Sequence, residues 1–154
     1  MNPFEPVRKK ITVNAPIETA FAVFTTGMGT WWNPEHHIGD GELQDVVMEP
    51  QPGGRWYEIT TVGGTCEWGR VLDWDPPQRV LLAWQLNAEW EYDADFRTEL
   101  EIRFESEGPA TTRVELEHRG LEAYGERAAE VRGSIDSDDG WNGLLDGYRQ
   151  AVEG

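Results

Sequence analysis

Residues 69–84, GRVLDWDPPQRVLLAW, constrain the fold more than any other part of the chain. Two β-favouring runs flank Asp75-Pro76-Pro77-Gln78. Each proline fixes its own φ, lacks an amide donor and moves the residue before it out of helical space, so neither run can continue through the turn. The stretch reads as a hairpin whose arms carry Trp74 and Trp84. Val80, Leu82 and Trp84 share one face of the return arm, which makes Trp84 the inward indole and leaves Trp74 to pack beside the turn.

The rest of the chain extends this sheet. Val7, Lys9, Ile11 and Val13 alternate with polar residues in an opening strand, whose Lys9 stem either snorkels or lies on an edge. Pro16 and Glu18 suit a helix N-terminus, and Ile17, Ala20, Phe21 and Phe24 fall on one helical stripe. Gly27 and Gly29 interrupt that pattern before a short helical piece bearing Trp31-Trp32, and residues 35–42 read as a loop. Strands are expected over 43–48, 55–61, 65–74 and 79–86, then an aromatic loop over 87–96 that includes Trp90. Strict alternation predicts strands over 99–105 and 112–119. Residues 120–137 read as a polar connection with a helical turn over 127–131. A final helix is expected from Asp138-Asp139, with Trp141, Leu144, Leu145, Tyr148 and Val152 on its apolar stripe. Its Gly140, Gly143 and Gly147 suggest close approach of another element or a ligand. Strands clustered between helices indicate an α+β antiparallel architecture.

A chain of 154 residues fits a single domain over 1–154. Its formal charge of -16, from 29 acidic against 13 basic residues, repels phosphate backbones and anionic headgroups, so neither nucleic acid nor membrane is expected as a partner. The first ten residues contain no apolar leader and no span is long enough to cross a bilayer, so a cytoplasmic location is expected. The lone Cys66 has Thr65 and Glu67 as neighbours and no cation to activate it. An exposed edge strand leaves room for a homodimer.

Catalytic signatures are scarce. The sequence has no nucleophile elbow, no phosphate-binding glycine loop and no zinc-type Cys/His spacing, so no cofactor and no metal are expected. Adjacent His36-His37 read as a solvated loop pair rather than metal ligands. His118 shares parity with Val114 and Leu116, which places it either as a core-edge histidine hydrogen-bonded to backbone or as a polar group orienting a ligand. Glu58 shares parity with Trp56. If Trp56 faces inward, Glu58 is a buried carboxylate able to act with His118 as acid and base; if Tyr57 and Ile59 face inward, it is wet. Eight tryptophans suggest either a heavy core or an aromatic-lined cavity.

The segments Ala15-Pro16-Ile17-Glu18-Thr19-Ala20-Phe21, Gly53-Gly54-Arg55-Trp56, the hairpin at 69–84, Thr112-Arg113-Val114-Glu115-Leu116 and Gly140-Trp141 occur in an order that resembles the START-related (SRPBCC) superfamily. The resemblance runs from Val7 to Val152 and is to the branch named for the activator of the ninety-kilodalton heat-shock protein ATPase. It implies a helix-grip fold, a curved antiparallel sheet wrapped around a long C-terminal helix, with a hydrophobic cavity between them. Binding of a small apolar or aromatic molecule is the function this implies, with Phe24, Trp31, Trp32, Trp56, Trp84, His118, Trp141 and Leu145 as its expected contacts. A cyclase- or hydrolase-like reaction through Glu58 and His118 is the alternative. Stimulation of a chaperone ATPase is a third, which the eukaryotic activators' extra N-terminal domain, without counterpart in these residues, makes the lesser expectation.

Overall fold

The computed structural model of the protein describes residues 2–154; Met1 lies outside them. Seven strands make one antiparallel sheet: β1 (Val7–Val13), β2 (Leu43–Met48), β3 (Arg55–Thr60), β4 (Thr65–Asp75), β5 (Arg79–Trp84), β6 (Thr98–Gly108) and β7 (Thr111–Arg119). Their order is β1-β7-β6-β5-β4-β3-β2, so β2 to β7 form a meander and β1 adds at the β7 edge. The sheet is curved, and α1 (Ile17–Phe24), α2 (Ala128–Ile135) and α3 (Trp141–Glu153) complete the α+β helix-grip fold.

The Asp75-Pro76-Pro77-Gln78 turn joins β4 to β5, closed by Gln78 N–H donating to the Asp75 carbonyl (2.9 Å), with Pro76-Pro77 in the cis form. On α1, Ala20, Phe21 and Phe24 are buried, and on α3 the buried stripe is Trp141, Leu144, Leu145 and Tyr148. Tyr148 ties the two helices together, its hydroxyl donating to the Ala20 carbonyl (2.7 Å). Two glycines serve close backbone approach: a Cβ on Gly147 of α3 would lie 3.2 Å from the Trp31 carbonyl oxygen, and one on Gly140, just before α3, would lie 2.4 Å from that of Ile135. Lys9 snorkels, its ammonium reaching Asp136.

Residues 120–137 depart from the expected polar connection. Gly120 enters the left-handed region (φ 82°), a 3-10 segment follows over Leu121–Arg127, and α2 runs on to Ile135. Leu121, Tyr124, Ala128, Val131 and Ile135 are all buried. Their spacing of three and four residues is a helical stripe, masked by the many charged residues between them. The final helix begins at Trp141, two residues beyond Asp138-Asp139.

Strand β4 breaks simple alternation twice. Tyr57 pairs with Glu67 and Trp56 with Gly69, so Trp68 is an extra residue; Val71 pairs with Leu82 and Asp73 with Leu81, so Leu72 is another. The first of these bulges leaves Trp68 buried next to the equally buried Gly69. Gly69 stands between Trp56 of β3 and Trp84 of β5, which meet edge to face (5.9 Å between centroids). A Cβ on Gly69 would fall 1.7 Å from the Ala83 carbonyl oxygen and 3.5 Å from the Trp56 ring.

On the outer face, Glu101 of β6 accepts hydrogen bonds from Arg79, Arg103 and Arg119 on three strands. Burial pushes its carboxyl up, but these three guanidinium groups outweigh that and hold it at about 2. The charged ladder thereby closes the outer face while apolar residues fill the inner one.

Replacing Gly69 with Ala should lower stability by about 3 kcal/mol, because the backbone of β5 cannot move away without breaking the ladder. Urea denaturation checks this, with the midpoint expected to fall at an unchanged slope.

Candidate functional site

Five tryptophans form a closed circuit on the concave face of the sheet. Trp56 meets Trp68 (5.5 Å), Trp68 meets Trp32 (5.0 Å), Trp32 meets Trp141 (5.9 Å), Trp141 meets Trp84 (6.0 Å) and Trp84 returns to Trp56 (5.9 Å). The rings come from β3, β4, β5, the first turn of α3 and the segment after α1, so the circuit joins parts distant in sequence. Bulky indoles meeting at an angle do not fill space completely. Beside them lies a cavity of about 330 Å³, walled by Trp32, Trp68, Trp84, Trp90, Trp141, Ile135 and Leu144. Glu35, His36, His37 and Asp139 add polar groups to the same space.

Trp90 has a left-handed backbone (φ 61°), uncommon for an aromatic residue, and 40 % of its surface is exposed. Asn87 enforces this turn: its side-chain oxygen accepts from the amides of Glu89 and Glu91 (3.0 Å each), and its carbonyl accepts from the Trp90 amide (3.0 Å). The Leu86–Tyr92 bridge closes the loop beneath.

The inward parity of β3 is the one that buries Trp56, Glu58 and Thr60. Glu58 is fully buried and fully engaged. Its Oε1 accepts from the Ile38 amide (2.7 Å) and the Trp68 indole N–H (2.8 Å), and its Oε2 accepts from the Gly39 amide (3.0 Å) and lies 3.1 Å from His37 Nδ1. This one carboxylate fastens the 35–42 loop to the sheet and gives the bulged Trp68 a partner for its N–H. Cys66 lies on the neighbouring strand β4, and burial, together with the Glu58 and Asp40 charges, pushes its thiol up and away from the reactive thiolate.

His118 is also buried, but its partners are side chains rather than the backbone. Trp141 Nε1 donates to His118 Nδ1 (3.3 Å), which leaves the proton on Nε2 to be donated to Thr98 Oγ1 (2.9 Å). Burial lowers its pKa to about 3, and a second ring proton would also face the Trp141 N–H donor.

The alternative in which Glu58 and His118 act together as acid and base does not find its geometry here. The two stand on β3 and β7, with β4, β5 and β6 between them, and neither lines the cavity. Glu58 instead meets His37, from a loop whose two histidines were expected to be solvated and which both line the cavity. Of the expected ligand contacts, Trp32, Trp84 and Trp141 line the cavity. Phe24 and Trp31 pack with Tyr148 (5.0 and 5.4 Å), Trp56 closes the indole circuit beneath, His118 sits behind Trp84 (4.9 Å), and Leu145 faces the β1 side. Trp68, Trp90, Ile135 and Leu144 belong to the wall but were not among the expected contacts. The 121–135 stripe could have pointed to Ile135; no sequence signal marks the bulge that turns Trp68 inward.

Residues 14–153 match the family model described as Activator of Hsp90 ATPase homolog 1-like protein. The chain belongs to this family. Among solved structures it is similar to an anthrahydroquino-gamma-pyrone synthase, Txn09, complexed with SUM (34 % identity, TM-score 0.68, covering 97 % of this chain and 99 % of that one). It is also similar to CalC, a self-sacrificing resistance protein from Micromonospora echinospora (30 % identity, TM-score 0.72, covering 98 % and 96 %). The Aha1 dimer from Colwellia psychrerythraea shares the fold at 18 % identity (TM-score 0.64, covering 97 % and 96 %). No curated protein matches the sequence. No helix among the described residues is long and apolar enough to cross a membrane.

This family member should lose stability in acid partly through His118. Its folded pKa lies below the ordinary histidine value of 6.5, so its contribution is complete above that pH and declines as pH falls from 6.5 toward 3. The loss reaches at most about 1.4 kcal/mol per pH unit. His118→Gln should start less stable at pH 7 and show a correspondingly shallower decline, which chemical denaturation between pH 7 and 4 would reveal.

Proposed function

We propose that the protein binds a small, flat aromatic molecule in the cavity between the sheet and the start of α3. The observation that carries this reading is the 330 Å³ space walled by five indoles, Trp32, Trp68, Trp84, Trp90 and Trp141. That volume lies at the lower end for ligand pockets and suits roughly two or three fused rings. Angled indoles offer such a ligand both edge and face contacts. Glu35, His36, His37 and Asp139 on the same wall favour ligands that carry a polar group such as a carbonyl over pure hydrocarbons. The net charge of -16 disfavours anionic ligands. The 34 % identical synthase, named for a product with a fused aromatic system, supports the same ligand class.

Anthraquinone should quench the tryptophan fluorescence saturably, and a saturated ring system of similar size should bind more weakly. Trp90→Gly should reduce anthraquinone affinity by about tenfold, or ~1.4 kcal/mol. Its melting temperature should hold or rise, because glycine accepts the left-handed backbone at position 90. Quenching that does not saturate, or that is the same in the variant, would count against this cavity as the binding site.

A further inference from the structure

We propose that His37 is a general base in this cavity, aimed by Glu58, and that the protein catalyses proton transfer on enolisable aromatic ketones. This rests on the reading that the cavity accepts a flat aromatic ligand. Three N–H groups, from Ile38, Gly39 and Trp68, already point at the Glu58 carboxylate, so its remaining bond to His37 is one in which it accepts. The His37 proton therefore sits on Nδ1, and Nε2 carries the free lone pair. Nε2 makes no hydrogen bond among the described residues, while the ring lines the cavity and its side chain is only 15 % exposed.

The arrangement is that of an oriented base: a buried carboxylate fixes the tautomer and can stabilise the imidazolium that forms, and the opposite nitrogen is left without a protein partner on a ring that lines the ligand space. His36 lines the same cavity but its ring has no carboxylate partner, and Glu35 and Asp139 have no histidine. Among the described residues that line the cavity, His37 alone combines a fixed tautomer with access to a ligand. Glu58, fully buried and away from the cavity wall, is a positioning residue.

The reaction needs no cofactor. His37 Nε2 takes a proton from a carbon next to the ligand carbonyl, the C–H bonding pair moves into the enolate, and the imidazolium returns a proton to the same or a conjugated position. The outcome is isomerisation, or exchange with solvent when both positions are the same.

The test uses 2-tetralone, a two-ring aromatic ketone, in D2O with the full chain. Nuclear magnetic resonance follows replacement of its C1 hydrogens by deuterium, and tryptophan quenching by the same compound follows binding. The wild-type protein should accelerate exchange at least a hundredfold over free imidazole at equal concentration. His37→Ala should still quench but exchange at the background rate, and added imidazole should restore part of the acceleration. In Glu58→Gln, the imidazole nitrogen shifts of His37 should lose the Nδ1–H signature, and exchange should slow at least tenfold even where binding persists. Quenching without accelerated exchange in the wild type would overturn the proposal and leave the binding reading intact. Full exchange in His37→Ala would overturn it as well. Absence of quenching by both 2-tetralone and anthraquinone would instead remove the binding reading on which it rests.

Discussion

The closed circuit of five indoles is the constraint on which the rest of this molecule depends. Each ring-to-ring contact contributes on the order of 1 kcal/mol beyond the area it buries, and the circuit draws together β3, β4, β5, the segment after α1 and the start of α3. Two backbone devices make it possible. Gly69 removes the side chain that would separate Trp56 from Trp84, and the adjacent bulge adds Trp68 to the buried face. Because rings of this size and shape meet edge to face or tilted rather than stacked flat, the same contacts that stabilise the core leave a space beside it.

The polar chemistry of that space follows from satisfying buried groups. A bulged indole needs an acceptor for its N–H, and the 35–42 loop needs acceptors for two amides; Glu58 serves all three. A carboxylate recruited for structural reasons is thereby placed against His37, at the edge of an aromatic cavity. At the other end of the circuit, His118 meets Trp141 and Thr98 and remains neutral, locked within the core. Two histidines near one cavity thus have opposite characters, one immobilised as a hydrogen-bond bridge and one with a nitrogen free. Membership of the Activator of Hsp90 ATPase homolog 1-like family identifies the scaffold. Its tryptophans and carboxylates furnish that scaffold with an aromatic cavity and an oriented histidine.

The strands, α1, α3 and the Pro-Pro hairpin were legible in the sequence, because alternation, helical stripes and proline geometry are local and act within a few residues. The α+β class and the helix-grip architecture followed from their order and from the family resemblance. The inward faces of β5 and β7 were legible for the same reason. The helical character of 121–135 was visible only in the spacing of five buried residues among many charges. The partner of Glu58, the inward turn of Trp68 and the docking of half-buried His37 against the sheet were decided by tertiary structure alone. A bulge shifts parity without a local signature, and residues 37 and 58 meet only once the loop has folded back onto β3. Sequence determined which residues were available to build a core and a cavity; three-dimensional packing determined which of them stayed in the core and which faced the empty space.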